Sequence, residues 1–358
     1  MLDKDIKELP TILDVVEQIS AHENSLVAPM CGMVPIPPFY DEGRFNLVSD
    51  MGNRSIHYLM PTSQSPFTFY RGQNKYYDIC TPTLYRPRKN KALPSEEDIA
   101  YHRIKTCEFA MLLSTHPVFQ DIQRVTSVDP VALAQHYGLD TDYLDITNNK
   151  WVAAFFACTQ HDDVTDTYTP VGEDFADGYG VMYKSKKAIS DDIPDGFFKK
   201  NCVIGYQYFD RPSRQSSFGY LMEAGENFND SPFFDKLFFR HDAEASKIVF
   251  EMAYQQRRFI PNDPLSILAK DIVKSKEISK EVLENCILNF YPDSDIAFLE
   301  RVCKNKGLHI HNEHRLSAQF NAKEVEKEWE TWLRWGRKDL ELRILPQRLV
   351  TTMRLKEE

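Results

Sequence analysis

The sequence predicts an α+β fold, and three features carry that prediction. Short segments rich in Val, Ile, Tyr, Phe and Thr, at about 66–72, 141–147, 180–183, 202–209 and 214–221, read as strands. Longer segments that open at Ser95, Asp129 and Asn262-Asp263-Pro264 carry the cap residues and apolar positions of helices. No linker-like composition separates the two kinds of element. One body from about residue 60 to 300 is therefore expected, with 1–60 as an N-terminal helix and Pro-rich arm. Residues 301–358 are expected as a helical extension packed on the core.

Residues 12–19 suit a helix, and MCGMVPIPPFYDEG, from Met30, suits an ordered arm. Asn46 to Met60 has apolar positions without a period and reads as loop with some strand. Pro66 to Gly72 is the first firm strand, with Arg71 at its end. Ser95 and Asp98 have the form of a capping box opening a helix to about Leu113, and 118–128 continues the helical region. Asp129 as N-cap, Pro130 at the first helical position and Gly138 just past the end bracket a helix that finishes in Gln135, His136 and Tyr137. Thr141 to Thr147 is then strand, and the almost wholly apolar Trp151 to Thr159 is a helix against the middle of a core. Residues 161–177 are acidic and turn-rich, a surface insertion. Further helices are expected over Ala243 to Arg257, from Pro264 through Ile272, at about 279–290 and 295–305, and from Lys323 to Trp335.

Composition narrows the function classes. The 358 residues are 42% hydrophobic and 12% aromatic, as in a folded globular protein. A formal net charge of −10 gives nucleic-acid backbone binding no support, and the run Arg86-Pro87-Arg88-Lys89-Asn90-Lys91 reads as a solvated loop. Seven scattered cysteines, never in a C-x-x-C pair, argue for a reducing compartment and against a disulfide framework or zinc ribbon. MLDKDIKELP has no apolar signal core, and no run approaches the ~20 apolar residues of a membrane span. A cytoplasmic protein without membrane contact is expected.

The chemistry-bearing residues sit at element junctions. His136, Tyr137, Asp142, Asp145 and Thr147 are polar groups between elements that must be buried, so they need partners or a ligand. Arg71 precedes Gly72, which leaves room for a ligand to approach the backbone, and a guanidinium there can fork onto carboxylate or phosphate. Equally, Arg71 could simply hold Asp145 or a helix C-terminus. His136 and Tyr137 offer a general acid or base and a stacking ring, although a histidine in a last helical turn also suits the helix dipole. Asp145 is either the orienting half of an ion pair, with Arg71 or Arg214 as the available cation, or an acid in its own right. Arg214 and Gln215 suit a ribose or phosphate, or mere capping, and Gln215 cannot be an acid or base. His309-x-His311-x-x-His314 fits no standard metal spacing, so no metal is expected. No P-loop, G-x-G-x-x-G, G-x-S-x-G or H-E-x-x-H is present.

Three motifs in this order resemble the FRG domain family, which is named for an aromatic-Arg-Gly triplet. Here the triplet is Tyr70-Arg71-Gly72, with Tyr in place of Phe. Ala134-Gln135-His136-Tyr137-Gly138 with Leu144-Asp145 and the apolar helix matches the second motif, and Arg214-Gln215 before Phe218 the third. Arg86 resembles a second arginine often found after the triplet, whereas position 142, often Arg in the family, is Asp. The order is also similar to the ADP-ribosyltransferase arrangement, which implies a split β-sheet core with surrounding helices.

That resemblance implies that Arg71 holds NAD and that Thr141 or Thr147 shapes the nicotinamide pocket. The third position, where a transferase has Glu to stabilise an oxocarbenium ion, is Gln215, and Asp145 is then the substitute carboxylate. Catalytic roles are expected of Arg71, His136, Asp145 and Gln215, and nucleotide contacts of Tyr70, Gly72, Tyr137, Thr141, Thr147 and Arg214. Two functions stay open. One is an NAD-consuming transferase or glycohydrolase, implied to act in bacterial defence against phage. The other is a non-catalytic module that senses a nucleotide or phosphate, or a phosphorylated protein partner, through Arg71.

Overall fold

In the computed structural model the described residues are 5–31, 45–49, 57–61, 68–87, 92–124, 126–162, 165–186, 201–204, 208–261, 263–338 and 340. The strands are β1 (Phe45–Ser49), β2 (His57–Pro61), β3 (Tyr70–Gln73), β4 (Tyr143–Thr147), β5 (Thr159–Asp162), β6 (Thr167–Pro170), β7 (Tyr179–Ser185), β8 (Asn201–Val203), β9 (Ser217–Leu221), β10 (Phe234–Arg240), β11 (Glu277–Ser279) and β12 (His309–His311). The helices are α1 (Ile12–Cys31), α2 (Glu96–Ser114), α3 (Pro117–Gln123), α4 (Pro130–His136), α5 (Lys150–Ala157), α6 (Asp210–Arg214), α7 (Ala243–Met252), α8 (Pro264–Lys274), α9 (Lys280–Phe290), α10 (Ile296–Lys306) and α11 (Ala322–Thr331). Helix and sheet are mixed as α+β requires. None of the described helices is long and apolar enough to cross a membrane.

A six-stranded sheet in the order β10-β7-β3-β4-β9-β8 forms the centre, each neighbouring pair antiparallel. Its register sorts side chains onto two faces, because paired residues point the same way. Tyr70, Gly72, Tyr143, Asp145, Thr147 and Met182 share the face covered by α4 and α5. Arg71, Leu144, Ile146, Tyr183 and Phe218 share the other, where Phe69, Phe228 and Phe234 complete an aromatic cluster.

The sheet is only narrowly joined at its middle. β3 and β4 share one register pair, Tyr70 with Thr147, whereas β3 pairs with β7 at four positions. Beyond Tyr70 the two strands part. Arg71 bridges the opening with its side chain, as Nη1 donates to the Asp145 carbonyl at 2.7 Å.

Local chemistry explains most of the elements. Ser95 and Asp98 close the capping box on α2, and Asp129 accepts from the Val131 and Ala132 amides at the start of α4. Gly138 takes the left-handed φ of +80° that ends α4. At the N-terminus Ile12, Val15, Val16 and Ile19 of α1 join the buried cluster of α5. At the other end Glu328 of α11 lies 3.0 Å from buried His116, and Trp332 Nε1 donates to Asp121 at 2.8 Å. Cys80, Cys107, Cys158, Cys286 and Cys303 are buried free thiols.

The structure corrects several expected boundaries. α1 runs to Cys31 rather than ending near Ile19. The strand expected within 46–60 is present as the paired β1 and β2, which begin at Phe45 and end at Pro61. α3 ends at Gln123, short of the expected 128. The acidic insertion at 161–177 contains most of the hairpin β5–β6. Of the expected strand 202–209, Cys202 and Val203 lie in β8, Ile204, Tyr208 and Phe209 are not strand, and 205–207 lie outside the described residues. Arg214 belongs to the helical turn α6, with β9 starting only at Ser217. The helix expected to reach Arg257 stops at Met252, where Tyr254, Gln255 and Gln256 turn left-handed. β10 was not expected at all. The Pro-rich arm after Cys31, Pro66 and Phe67, Arg88 to Lys91, and the tail apart from 337, 338 and 340 lie outside the described residues.

Candidate functional site

His136, Asp145 and Gln215 meet on the α4 face of β4, although they are far apart in the chain. His136 is the last residue of α4 and Asp145 the middle of β4. Gln215 caps α6, and the next residue, Ser216, holds a left-handed φ of +46° that swings the chain from α6 into β9.

Gln215 sets the tautomer of His136. Its Nε2 donates to the Phe259 carbonyl at 3.1 Å, and a carbonyl can only accept, so Oε1 is the atom 3.1 Å from His136 Nδ1. Nδ1 therefore carries a proton. Nε2 is left facing Asp145 Oδ1 at 3.2 Å, with the His136 side chain 3% and the Asp145 side chain 43% exposed. The distance is that of an ion pair, but the alignment is poor enough that neither atom completes a hydrogen bond. Loose alignment of this kind is common where a ligand tightens an acid–base pair.

Thr147 fastens the arrangement from below. Its hydroxyl donates to the Gln215 carbonyl at 2.7 Å and accepts from the Asn149 amide at 3.0 Å. Arg211 holds the other side: Nη1 donates to the His136 carbonyl at 3.3 Å, and its guanidinium lies 5.3 Å from the centre of the Tyr137 ring. No spacing in the sequence pointed to Arg211 or to the Phe259 carbonyl.

Arg71 comes to the same residue from the other face. It bonds the Asp145 carbonyl while His136 faces the Asp145 carboxylate, so both motifs end on Asp145 from opposite sides of the sheet. Arg71 Nε is buried and unbonded.

The remaining expected contacts are committed elsewhere. Gly72 corrects its expectation: an added Cβ would run into the Ala153 carbonyl oxygen and lie 2.9 Å from Ala157 Cβ, so α5 and not a ligand occupies that space. Tyr70 is 1% exposed and packs in the α5 cluster. Tyr137 is core, donating its hydroxyl to Asp263. Desolvation, then the Asp263 charge, pushes that phenol well above its usual pKa, and burial raises the pKa of Asp263 in turn. The Thr141 hydroxyl donates to Gln135 Oε1 at 2.7 Å. Arg214 points outward to Asp210 at 2.9 Å, with its side chain 43% exposed. Of the histidine triplet, His314 faces Glu281 at 3.0 Å, and His309 and His311 lie on β12.

Both motif residues that meet at Asp145 lie in the segment that a family model matches. Residues 67–166 match the FRG domain family. Comparison with curated proteins and with solved structures finds no match. The FRG segment contains the triplet and the His136–Asp145 motif but ends before Gln215, so the third member of the trio comes from outside it.

Proposed function

We propose that this FRG protein binds an NAD or ADP-ribose type nucleotide at the opening between β3 and β4 and cleaves the bond between nicotinamide and ribose. The observation that carries the reading is the convergence on Asp145: Arg71 holds its carbonyl and His136 faces its carboxylate, while that carboxylate stays 43% exposed. A carboxylate so placed can offset the positive charge of an oxocarbenium ion. In the step envisaged, the C1′–N bond breaks and the departing nicotinamide keeps the electron pair. Water or an acceptor hydroxyl then adds to C1′, and its proton passes to Nε2 of the neutral His136 ring, which becomes the imidazolium whose ion-pair partner is Asp145 Oδ1. Hydrolysis and ADP-ribosyl transfer differ only in the attacking hydroxyl. NAD depletion would suit the anti-phage role that the resemblance implies.

One observation favours a non-catalytic reading, in which the same cleft senses a nucleotide or phosphate. Gln215 is 6% exposed and both ends of its amide are bonded, so the third motif supplies neither a free group nor a carboxylate. Incubation of the full chain with NAD, followed for nicotinamide release, separates the two. Turnover is expected to fall roughly hundredfold in Asp145→Asn with melting unchanged. Stabilisation by ADP-ribose without NAD loss would select the sensing role. Absence of both turnover and stabilisation refutes the nucleotide site.

A further inference from the structure

Arg71 and Arg86 are neighbouring cations that form no ion pair with a described carboxylate. What they bond is neutral: Arg71 Nη1 donates to the Asp145 carbonyl at 2.7 Å, and Arg86 Nε to the Thr81 carbonyl at 3.1 Å. Arg71 Nε, inside the protein, bonds nothing. The loop that separates them leaves the end of β3 and is tied back towards the start of β4, where the Leu84 amide donates to the Thr141 carbonyl. That tie brings exposed Arg86 to the open end of the split. Desolvation first and the Arg71 charge second lower the pKa of Arg86, against smaller opposing effects of Cys80, Tyr77 and Asp145. The same loop carries two more buried groups without a partner, the hydroxyls of Thr81 and Thr83.

In a chain of formal net charge −10 carboxylates are abundant, yet among the described residues none lies within ion-pair distance of this pair, and Asp145 acts on Arg86 only from further off. Neighbouring cations that meet only neutral carbonyls are what a site for an absent anion looks like. We propose that Arg86 and the unbonded edge of Arg71 form an oxyanion subsite at the mouth of the β3–β4 opening, selective for a phosphate or diphosphate group. The planar guanidinium forks match phosphate oxygens two at a time. The proposal deepens the nucleotide reading by naming Arg86 as the residue that takes the phosphate end.

Inorganic pyrophosphate is the probe, titrated calorimetrically into the full chain at constant ionic strength. Wild type is expected to bind it, and Arg86→Ala to weaken binding about tenfold, the loss of one solvent-reachable charged contact. Arg86→Lys should recover only part of the affinity, since the charge remains and the fork is lost. Melting of both variants should stay close to wild type, since Arg86 reaches solvent and its bond to the Thr81 carbonyl is to a neutral group. Unchanged pyrophosphate affinity in Arg86→Ala, or no binding by wild type beyond that of sodium chloride, overturns the subsite. A parallel titration with ADP-ribose separates the two claims. ADP-ribose binding indifferent to Arg86 overturns the subsite and leaves the nucleotide reading standing. Pyrophosphate binding through Arg86 with no ADP-ribose binding upholds the subsite and removes the nucleotide.

Discussion

Gly72→Ala tests whether the glycine of the triplet serves the fold or the ligand. The added methyl would lie 2.8 Å from the Ala153 carbonyl carbon and 2.9 Å from Ala157 Cβ, and closer still to the Ala153 oxygen. Carbon packs against carbon or oxygen at more than about 3 Å, so clearing the Ala153 oxygen would require α5 to retreat by about 1.5 Å. It has little room to do so. Val152, Ala153, Ala154, Phe155 and Ala157 are all at most 1% exposed, and Phe155 meets the rings of Phe156, Tyr168, Phe250 and Phe259. Overpacking a core costs about 1–3 kcal/mol, and the upper end applies where backbone rather than a flexible tip must move. Replacing a strand glycine returns about 0.5–1 kcal/mol of that through reduced backbone entropy. The net expectation is a loss of about 2 kcal/mol. Urea unfolding reads it directly: with a slope of about 2 kcal/mol/M, the midpoint falls by about 1 M at unchanged slope. A midpoint equal to wild type, combined with lost stabilisation by ADP-ribose, would refute the packing argument and return Gly72 to the ligand.

Gln215→Glu should not create a transferase. It removes the donor to the Phe259 carbonyl and sets a carboxylate oxygen against it at a site 6% exposed, costing about 1–3 kcal/mol of stability. Faster NAD turnover at unchanged stability would contradict the fixed amide orientation. Asp263 gives a pH test. Burial raises its folded pKa above 3.8, so its contribution to stability is complete below 3.8 and is lost as pH rises through the raised value. Asp263→Asn keeps an acceptor for the Leu265 amide and cannot ionise. Wild type should therefore lose stability relative to Asp263→Asn as pH rises across that window, measured by melting at successive pH values. A constant difference would show that Asp263 does not titrate there.

What the sequence announced was local. Asp129, Pro130 and Gly138 bracket α4 because each satisfies one end of a helix by itself, and Ser95 with Asp98 does the same for α2. What it hid depended on partners. FDKLFFR places Asp235 and Lys236 inside β10, which is tolerable because β10 is an edge strand that pairs with β7 along its whole length. The end of α7 was hidden for a different reason: Tyr254, Gln255 and Gln256 adopt positive φ without a glycine to mark it.

The same division runs through the site. His136, Asp145 and Gln215 were readable as polar residues at junctions, but the grip on Gln215 is a backbone carbonyl, and a carbonyl has no letter in the sequence. The face of Arg71 was equally unreadable, since it follows from the pairing of Tyr70 with Thr147 and of Arg71 with Tyr183. That register has a consequence for function. Arg71 leaves the sheet on one face and the Asp145 carboxylate on the other, so a ligand on the α4 face alone would meet His136 and Asp145 without touching Arg71. A ligand that engages all three must lie across the opening where β3 and β4 part. A small anion can satisfy Arg71 and Arg86 from one side only. An extended ligand with an anionic end and a reactive end some distance from it can serve both faces, and a dinucleotide has that form.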